Sequence, residues 1–278
     1  MRVENFVTLF DKNYLPQGVS LYLSMEREIN CFHLWILALD TYTYEKLVSL
    51  DLKSVTILNV ENFLTEELVQ KKRERTKGEF CWTLTPFSFD FVFDSNETIE
   101  RITYLDADLW FRKSPKDIFY EFDLTNKNVL ITDHGYAPEY DQSAISGQYC
   151  VQFLTFDRIN SKFIRDIWKE QCLEWCFNRA EVGRFGDQKY LDEWPIKFND
   201  HVHVLKDHSL LLAPWNATRF PYGNSVAWHF HGLKIITDEG KNLSLELCSA
   251  SYHLPEVVKV QIYGKYVADL NLAIALIS

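Results

Sequence analysis

The stretch ITYLDADLWF, residues 102–111, joins a buried-strand pattern to two acids separated by a single alanine. Its first residues are apolar or β-branched, as in strands that are covered on both faces. Asp106 and Asp108 follow where that strand is expected to end. Two carboxylates so placed can bind a hard divalent cation, whereas buried acids without a cation are costly. A solvated turn is the alternative, because D-x-D also arises by chance.

Outward from this stretch, strand-like and helix-like segments alternate, which predicts an α/β fold with a Rossmann-like, mostly parallel sheet flanked by helices. Upstream the pattern predicts strands over 5–10, 31–39 and 54–60, helices over 15–29 and 42–50, and helical structure over 61–95. Downstream it predicts strands over 128–132, 148–156, 201–205 and 225–231 and helices over 158–178 and 185–194. Asp106 and Asp108 would then lie at the carboxyl end of a parallel strand, where open α/β sheets bind ligands.

The chain has neither internal repeats nor a low-complexity linker, so we predict one domain over residues 1–278. Near its end, HLPEVVKVQIYGKYVADLNLAIALI has the apolar spacing of an amphipathic helix. We therefore expect residues 241–278 to form a C-terminal, mainly helical extension that packs on the body of the domain.

The composition restricts the partners and the compartment. A formal net charge of -10 argues against nucleic acid or an anionic membrane surface as a partner, and an anionic ligand would need a local cation. Strand-like residues begin almost at once and no apolar stretch reaches the length of a membrane span, so we expect a cytoplasmic protein with at most peripheral membrane association. The six cysteines lie without a CxxC pair, and we expect them to be reduced.

A second cluster of functional residue types is WHFHGLK, residues 228–234. On a strand, His229 and His231 would face the same side, so either could complete a metal site. The backbone N–H of Gly232 and the ammonium of Lys234 could approach a phosphate. Each histidine alone is more often a structural residue. The pair in HVHVL, residues 201–205, is a weaker rival because neither glycine nor lysine follows it.

A third cluster is RFGDQKYLDEWP, residues 184–195, in which Asp187 and Gln188 precede a predicted helix. Asp187 stands where an acidic helix cap is common. The functional alternative is a polar wall of a sugar pocket, where the carboxylate and the carboxamide accept hydroxyl protons.

Together these motifs resemble the GT-A nucleotide-sugar glycosyltransferases, most closely glycosyltransferase family 8 and its bacterial relatives. The resemblance extends over most of the chain, and the order and spacing of the motifs agree. It implies a GT-A domain in which the nucleoside is held by Asp11, Asn13 and Tyr14. It also implies that the metal is held by Asp106, Asp108 and His229, with Asp106 contacting the nucleotide as well. The diphosphate contacts implied are Gly232 and Lys234, and the donor-sugar and reaction-centre pair implied is Asp187 and Gln188.

Two positions depart from the family pattern. Leu233 alone separates Gly232 from Lys234, where the family usually has two residues. Cys150 stands where an asparagine near the sugar is expected. The first departure concerns the diphosphate contact of Lys234, and the second concerns the identity of the donor sugar.

The resemblance implies that a hexose moves from a nucleoside diphosphate sugar, a UDP-sugar in this family, to a glycan or lipid-linked acceptor. It implies retention of the anomeric configuration, with Gln188 beneath the anomeric carbon. Mixed oxygen and imidazole ligation favours Mn²⁺ over Mg²⁺. A sugar transferase of this class in the bacterial cytoplasm is typical of surface polysaccharide or lipopolysaccharide synthesis.

Two other functions remain open from the residues. A phosphohydrolase of the haloacid dehalogenase type would use Asp106 as nucleophile and Asp108 as general acid. In that family, however, DxD follows the first strand, whereas about a hundred residues precede it here. A catalytically degenerate sugar-nucleotide binding subunit is the non-enzymatic alternative.

Overall fold

The computed structural model describes residues 2–237, 243–247 and 252–278. Its strands are β1 Glu4–Phe10, β2 Phe32–Ala38, β3 Val55–Asn59, β4 Arg101–Leu105, β5 Leu109–Phe111, β6 Val129–Asp133, β7 Tyr149–Asp157, β8 Val202–Val204, β9 Leu211–Leu212, β10 Ala227–His229, β11 Leu233–Thr237 and β12 Leu243–Leu247. Its α-helices are α1 Leu15–Glu28, α2 Thr41–Leu50, α3 Glu66–Glu74, α4 Lys77–Ser95, α5 Lys116–Asp123, α6 Ser143–Ser146, α7 Lys162–Glu174, α8 Trp194–Lys197, α9 Glu256–Val258 and α10 Gly264–Ile277.

The central sheet has the strand order β3-β2-β1-β4-β7-β6-β8. Only β7 runs against the other strands of this sheet, since it pairs antiparallel with both β4 and β6. The predicted mostly parallel sheet flanked by helices is therefore confirmed. The antiparallel strand lies directly beside β4, the strand that leads into the paired aspartates.

Alternate residues of the central strands enter two different apolar layers, as the period of two requires. In β1, Val7 and Leu9 pack into a layer with α4 and α7, whereas Phe6 and Phe10 pack into a layer with α1 and α5. Because both faces are covered, the central strands are apolar on both sides. This arrangement leaves the ends of the strands as the places where polar groups can collect.

After β4 the chain turns sharply and leaves the central sheet. The N–H of Leu109 donates to the carbonyl oxygen of Asp106 at 3.1 Å, which closes the turn that carries both aspartates. The following strand, β5, joins a smaller sheet of order β5-β10-β9. That sheet brings residues from the last quarter of the chain to the carboxyl end of β4.

The C-terminal segment packs against the rest of the fold, with α10 lying against α1. It consists of α9, a π-helical turn over Lys259–Tyr263 and α10. Within the predicted extension of residues 241–278, residues 243–247 instead form β12, which pairs antiparallel with β11. Residues 243–247 form a strand because all five pair with β11, and the helical part begins only at Glu256.

Two further expectations concern covalent state and membranes. The five cysteines among the described residues are free thiols, and Cys248 lies outside the described residues. Within the part of the chain that the structure describes, no helix combines the length and the apolarity needed to cross a bilayer.

Candidate metal and donor site

Asp106, Asp108 and His229 converge at the carboxyl end of β4. The Nε2 atom of His229 lies 3.1 Å from Oδ1 of Asp108 and 3.6 Å from Oδ2 of Asp106. One donor atom from each of the three residues lies within 4.8 Å of the others. Two carboxylate oxygens and one imidazole nitrogen at these separations fit a divalent cation that accepts mixed oxygen and nitrogen ligands.

The small sheet accounts for this convergence. β10 pairs antiparallel with β5, and this register sets His229 directly opposite Leu109. The N–H of Phe230 donates to the carbonyl oxygen of Asp108 at 2.9 Å. The histidine strand is therefore held against the aspartate turn by backbone hydrogen bonds, which position the three side chains before any ligand binds.

The three side chains are strongly coupled electrostatically. Burial raises the pKa of Asp106 to about 6, against the opposing effect of His229. Burial alone would also raise the pKa of Asp108, but the His229 charge and its hydrogen bond outweigh that effect and hold this pKa below its ordinary value. Burial would lower the pKa of His229, yet the two carboxylates raise it well above normal. The cluster therefore attracts positive charge.

Asp187 is buried beside this cluster, with a side chain only 2% exposed. Its Oδ2 atom has no hydrogen-bond partner among the described residues. Burial, and then the negative charge of Asp106, raises the pKa of Asp187 to about 7. Its backbone is fixed separately, because Nε1 of Trp168 donates to its carbonyl oxygen at 2.9 Å.

Gln188 follows Asp187 and precedes the short 3₁₀ helix Lys189–Glu193. At this N-cap position Gln188 makes no side-chain capping hydrogen bond. Its Nε2 instead donates to the carbonyl oxygen of Ser146 at 2.8 Å. The predicted helix over 185–194 is replaced by this 3₁₀ turn and the short α8, and capping does not account for Gln188.

The expected nucleoside contacts lie in the loop between β1 and α1. The carboxylate of Asp11 accepts the backbone N–H of Asn13 at 2.9 Å and its side-chain amide at 2.8 Å. Partial burial, and then the charges of Asp108 and Asp106, raises the pKa of the Tyr14 phenol. Because β1 and β4 are parallel neighbours, this loop and the aspartate turn lie at the same edge of the sheet.

Gly232 and Lys234 follow the histidine strand. Gly232 adopts the left-handed φ of +72° in the turn between β10 and β11, a conformation that favours glycine. The side chain of Lys234 is exposed on β11. The predicted strand over 225–231 was too long, because the turn begins directly after His229 and places His231 outside the strand.

His231 does not belong to the three-residue cluster, although its ring centroid lies 5.6 Å from that of His229. The rival pair in residues 201–205 makes ordinary hydrogen bonds elsewhere. Nε2 of His203 lies 2.7 Å from Oε1 of Glu121, and Nδ1 of His201 lies 3.0 Å from Oδ1 of Asn128.

Three residues near the cluster have a role that sequence reasoning missed, and two of them make polar or aromatic contacts with it. The hydroxyl of Tyr104 donates to Oδ1 of Asp106 at 3.0 Å, and the alternation of β4 could have placed this side chain on the aspartate's face. The ring of Trp215 stands perpendicular to that of His229 at 5.3 Å, a contact for which the sequence offers no signal. Gln152 is the third, and its environment is described below. Cys150 is buried, and burial raises the pKa of its thiol against the opposing effect of His229.

No protein-family model matches the chain. Two uncharacterised proteins of Bacillus subtilis are similar in sequence. YfnF is 32% identical over 252 residues, which cover 84% of this chain and 82% of that protein, and YfnD is 27% identical over 263 residues, which cover 87% and 82%.

Solved glycosyltransferases share the fold. A galactosyltransferase, LgtC, in complex with donor and acceptor sugar analogues superposes with a TM-score of 0.55 at 13% identity, covering 96% of this chain and 95% of that one. Mouse xyloside xylosyltransferase 1 superposes with a TM-score of 0.53 at 14% identity, and the match covers 83% of this chain and 98% of that one. The predicted GT-A fold is therefore confirmed.

Proposed function

The chain belongs to the same protein family as YfnF of Bacillus subtilis, and we propose that it is a metal-dependent glycosyltransferase acting on a nucleoside diphosphate sugar. The observation that carries this proposal is the convergence of Asp106, Asp108 and His229 at the carboxyl end of β4 in a GT-A fold. The solved structure of LgtC, described with donor and acceptor sugar analogues, supports the class of substrate.

The metal in this proposal is Mn²⁺, with Mg²⁺ as the weaker alternative, because the donor set mixes carboxylate oxygens with an imidazole nitrogen. A bound divalent cation supplies the positive charge that stabilises a departing nucleoside diphosphate. The protein has a net charge of -10, so its own side chains offer little neutralisation overall.

In this proposal, different residues around the cation bind different parts of the donor. The loop of Asp11, Asn13 and Tyr14 holds the nucleoside of a UDP-sugar. The N–H of Gly232 and the exposed ammonium of Lys234 bind the diphosphate from the side of the small sheet. The long side chain of Lys234 is exposed and can take up a ligand contact, although the single residue between it and Gly232 shortens the family spacing.

Asp187 and Gln188 face the sugar in this proposal. A transition state of oxocarbenium character is stabilised by nearby carboxylate and amide oxygens. With Gln188 beneath the anomeric carbon, transfer to a glycan or lipid-linked acceptor would retain the configuration. The biological setting we propose is bacterial surface polysaccharide or lipopolysaccharide synthesis, in the cytoplasm or at the inner face of the membrane.

The phosphohydrolase alternative has less support in the geometry. The DxD segment follows the fourth strand of the chain rather than its first, and Asp108, the residue that would act as general acid, lies 3.1 Å from His229. A binding subunit would hold the donor through the same residues and would differ only in that it does not transfer the sugar.

The direct test is release of nucleoside diphosphate from a panel of nucleotide sugars, with Mn²⁺ and with chelator, in the presence and absence of simple sugar acceptors. We expect one UDP-hexose to release UDP only when the metal is present. Tight donor binding without release under any acceptor would favour the binding subunit. Release of phosphate from an aryl phosphate would favour the phosphohydrolase.

A further inference from the structure

Gln152 is a fully buried polar residue in the middle of β7. Its side chain has no exposed surface, and neither its Oε1 nor its Nε2 atom has a hydrogen-bond partner among the described residues. Nearly all buried side-chain amides in proteins are paired, since an unpaired amide loses its hydration without compensation. An amide with both of its ends unpaired therefore needs an explanation.

The strand register places this amide beside the metal cluster. β4 and β7 are antiparallel and pair Leu105 with Phe153, so the next position pairs Asp106 with Gln152. The backbone agrees, because the N–H of Asp106 donates to the carbonyl oxygen of Gln152 at 3.1 Å. Directly opposed residues of an antiparallel pair project from the same face at about 5 Å between Cβ atoms. Gln152 thus shares a face with Asp106.

A second unpaired polar group lies in the apolar layer that covers this face. Oδ2 of Asp187 is buried without a partner among the described residues, and the carbonyl oxygen of Asp187 accepts the indole N–H of Trp168, a residue of that layer, at 2.9 Å. The face also carries Tyr104, whose hydroxyl is already bonded to Asp106. Gln152 and Asp187 therefore both keep hydrogen-bonding capacity to spare, as does Nδ1 of the proposed metal ligand His229.

Their chemistry is complementary to a sugar. A carboxamide offers two N–H donors and one acceptor, a carboxylate offers acceptors, and a hydroxyl both donates and accepts. A hexose attached to a metal-bound diphosphate presents neighbouring hydroxyls that can satisfy both residues. An apolar ligand or a bare phosphate would leave the amide oxygen unpaired.

We propose that the carboxamide of Gln152 hydrogen-bonds a hydroxyl of the donor hexose and so helps to determine which sugar the site accepts. This inference rests on the proposed glycosyltransferase function and adds a specificity-determining residue to it. A site built to bond a particular hydroxyl rejects a donor in which that hydroxyl is missing or inverted.

The test is Gln152→Met, which keeps the length of the side chain but removes its hydrogen bonds. Calorimetry with Mn²⁺ would compare the affinities for UDP, UDP-glucose and UDP-galactose in this variant, in the wild type and in Gln70→Met, an exposed control. We expect unchanged affinity for UDP and about a tenfold loss for the UDP-hexose that the wild type prefers. The thermal midpoint without ligand should stay the same or rise, because an unpaired buried amide is removed.

If Gln152→Met prefers one UDP-hexose over the other as strongly as the wild type does, the inference is overturned and the proposed function stays intact. Wild-type protein that binds neither UDP-hexose with Mn²⁺ would overturn both. If Gln152→Met lowers the thermal midpoint, a second variant, Gln152→Asn, separates a folding effect from a loss of binding. It keeps the amide but shortens the side chain. Loss of hexose affinity in a folded Gln152→Asn supports the contact, whereas wild-type affinity in it contradicts the contact.

Discussion

Two polar clusters lie close together in this molecule and differ in whether their hydrogen-bonding groups are paired within the protein: one is partly exposed and the other is buried. The first cluster, called the brace because it links α1 and β5 to the C-terminal helix, consists of Arg27, Trp110 and Asp269. The carboxylate of Asp269 accepts the indole N–H of Trp110 at 2.6 Å and two guanidinium bonds from Arg27 at 3.0 and 3.2 Å. One negative charge meets one positive charge, and both carboxylate oxygens are bonded.

The metal cluster of Asp106, Asp108 and His229, taken together with the neighbouring Asp187, has the opposite composition. Three carboxyl groups surround one imidazole, and within the described residues Oδ2 of Asp187 and Nδ1 of His229 lack hydrogen-bond partners. Buried polar groups stabilise a fold only when they are fully bonded. The contrast indicates that the brace serves the fold, while the metal cluster is left incomplete for a cation and a ligand.

The two clusters are nevertheless physically connected. Trp110 follows Asp108 by two residues, so the brace fixes the strand that leaves the aspartate turn. Phe230 follows His229, and its ring stacks on that of Tyr266 in α10 at 3.6 Å. The C-terminal helix therefore supports both strands that carry metal ligands.

The largest effect should come from Asp108→Asn, which removes one charge from the metal cluster. We expect turnover to fall by more than about 100-fold, since even residues that only support a metal ligand contribute that much. The fold should persist, because the backbone bonds of the turn are retained. Steady-state assays with Mn²⁺ would be run beside Asp200→Asn, an exposed control. Full activity in Asp108→Asn would remove this residue from the site.

Asp187→Asn should come second, with turnover reduced about 100-fold and Mn²⁺–UDP affinity retained. When a chelator has removed the metal, Asp187→Asn should also change how the stability of the protein depends on pH. Burial raises the pKa of Asp187 from 3.8 to about 7, so the native protein keeps a proton that the unfolded chain loses as the pH rises from about 4 to about 7. The free energy of unfolding of the wild type therefore decreases over that pH interval and stays at the lower value above it.

Thermal midpoints near pH 5 and near pH 8 would measure this pH dependence. The midpoint of Asp187→Asn relative to wild type should be higher at the alkaline pH than at the acidic one. A variant that melts at a lower temperature at both pH values would instead indicate a structural role, such as the helix cap.

The smallest effect on catalysis should come from the brace. Asp269→Asn weakens the pairing with Arg27, and we expect the free energy of unfolding to fall by about 2 kcal/mol, while turnover changes only a few-fold. Chemical denaturation would be compared with Glu256→Gln, which breaks an exposed ion pair with Lys259 and should have almost no effect on stability. A loss of turnover in Asp269→Asn as large as that in Asp108→Asn would contradict the division between the clusters.

The sequence predicted those parts of the molecule that depend on local pattern. The alternation of the first hundred residues predicted β1 to β3 with their helices, and an apolar strand ending in DxD predicted the position of Asp106 and Asp108. His229 could be proposed because its motif is contiguous with Gly232. These features need only neighbouring residues and the rule that parallel strands end at one edge.

Features that depend on distant pairing were not predictable. Periodicity does not fix the direction of a strand, so the antiparallel β7 was missed. The position of Gln152 beside the metal cluster depends on its register with Asp106, and the contact of Arg27 with Asp269 spans 242 positions in the chain. Each requires the assembled sheet or the docked C-terminal helix.

The most direct measurement is calorimetric titration of UDP into the wild-type protein, with Mn²⁺ and again with chelator. If a cation held by Asp106, Asp108 and His229 neutralises the diphosphate, UDP affinity should fall by more than about tenfold when the metal is removed. Equal affinity under the two conditions would mean that the protein's own groups bind the diphosphate, which would contradict the metal site.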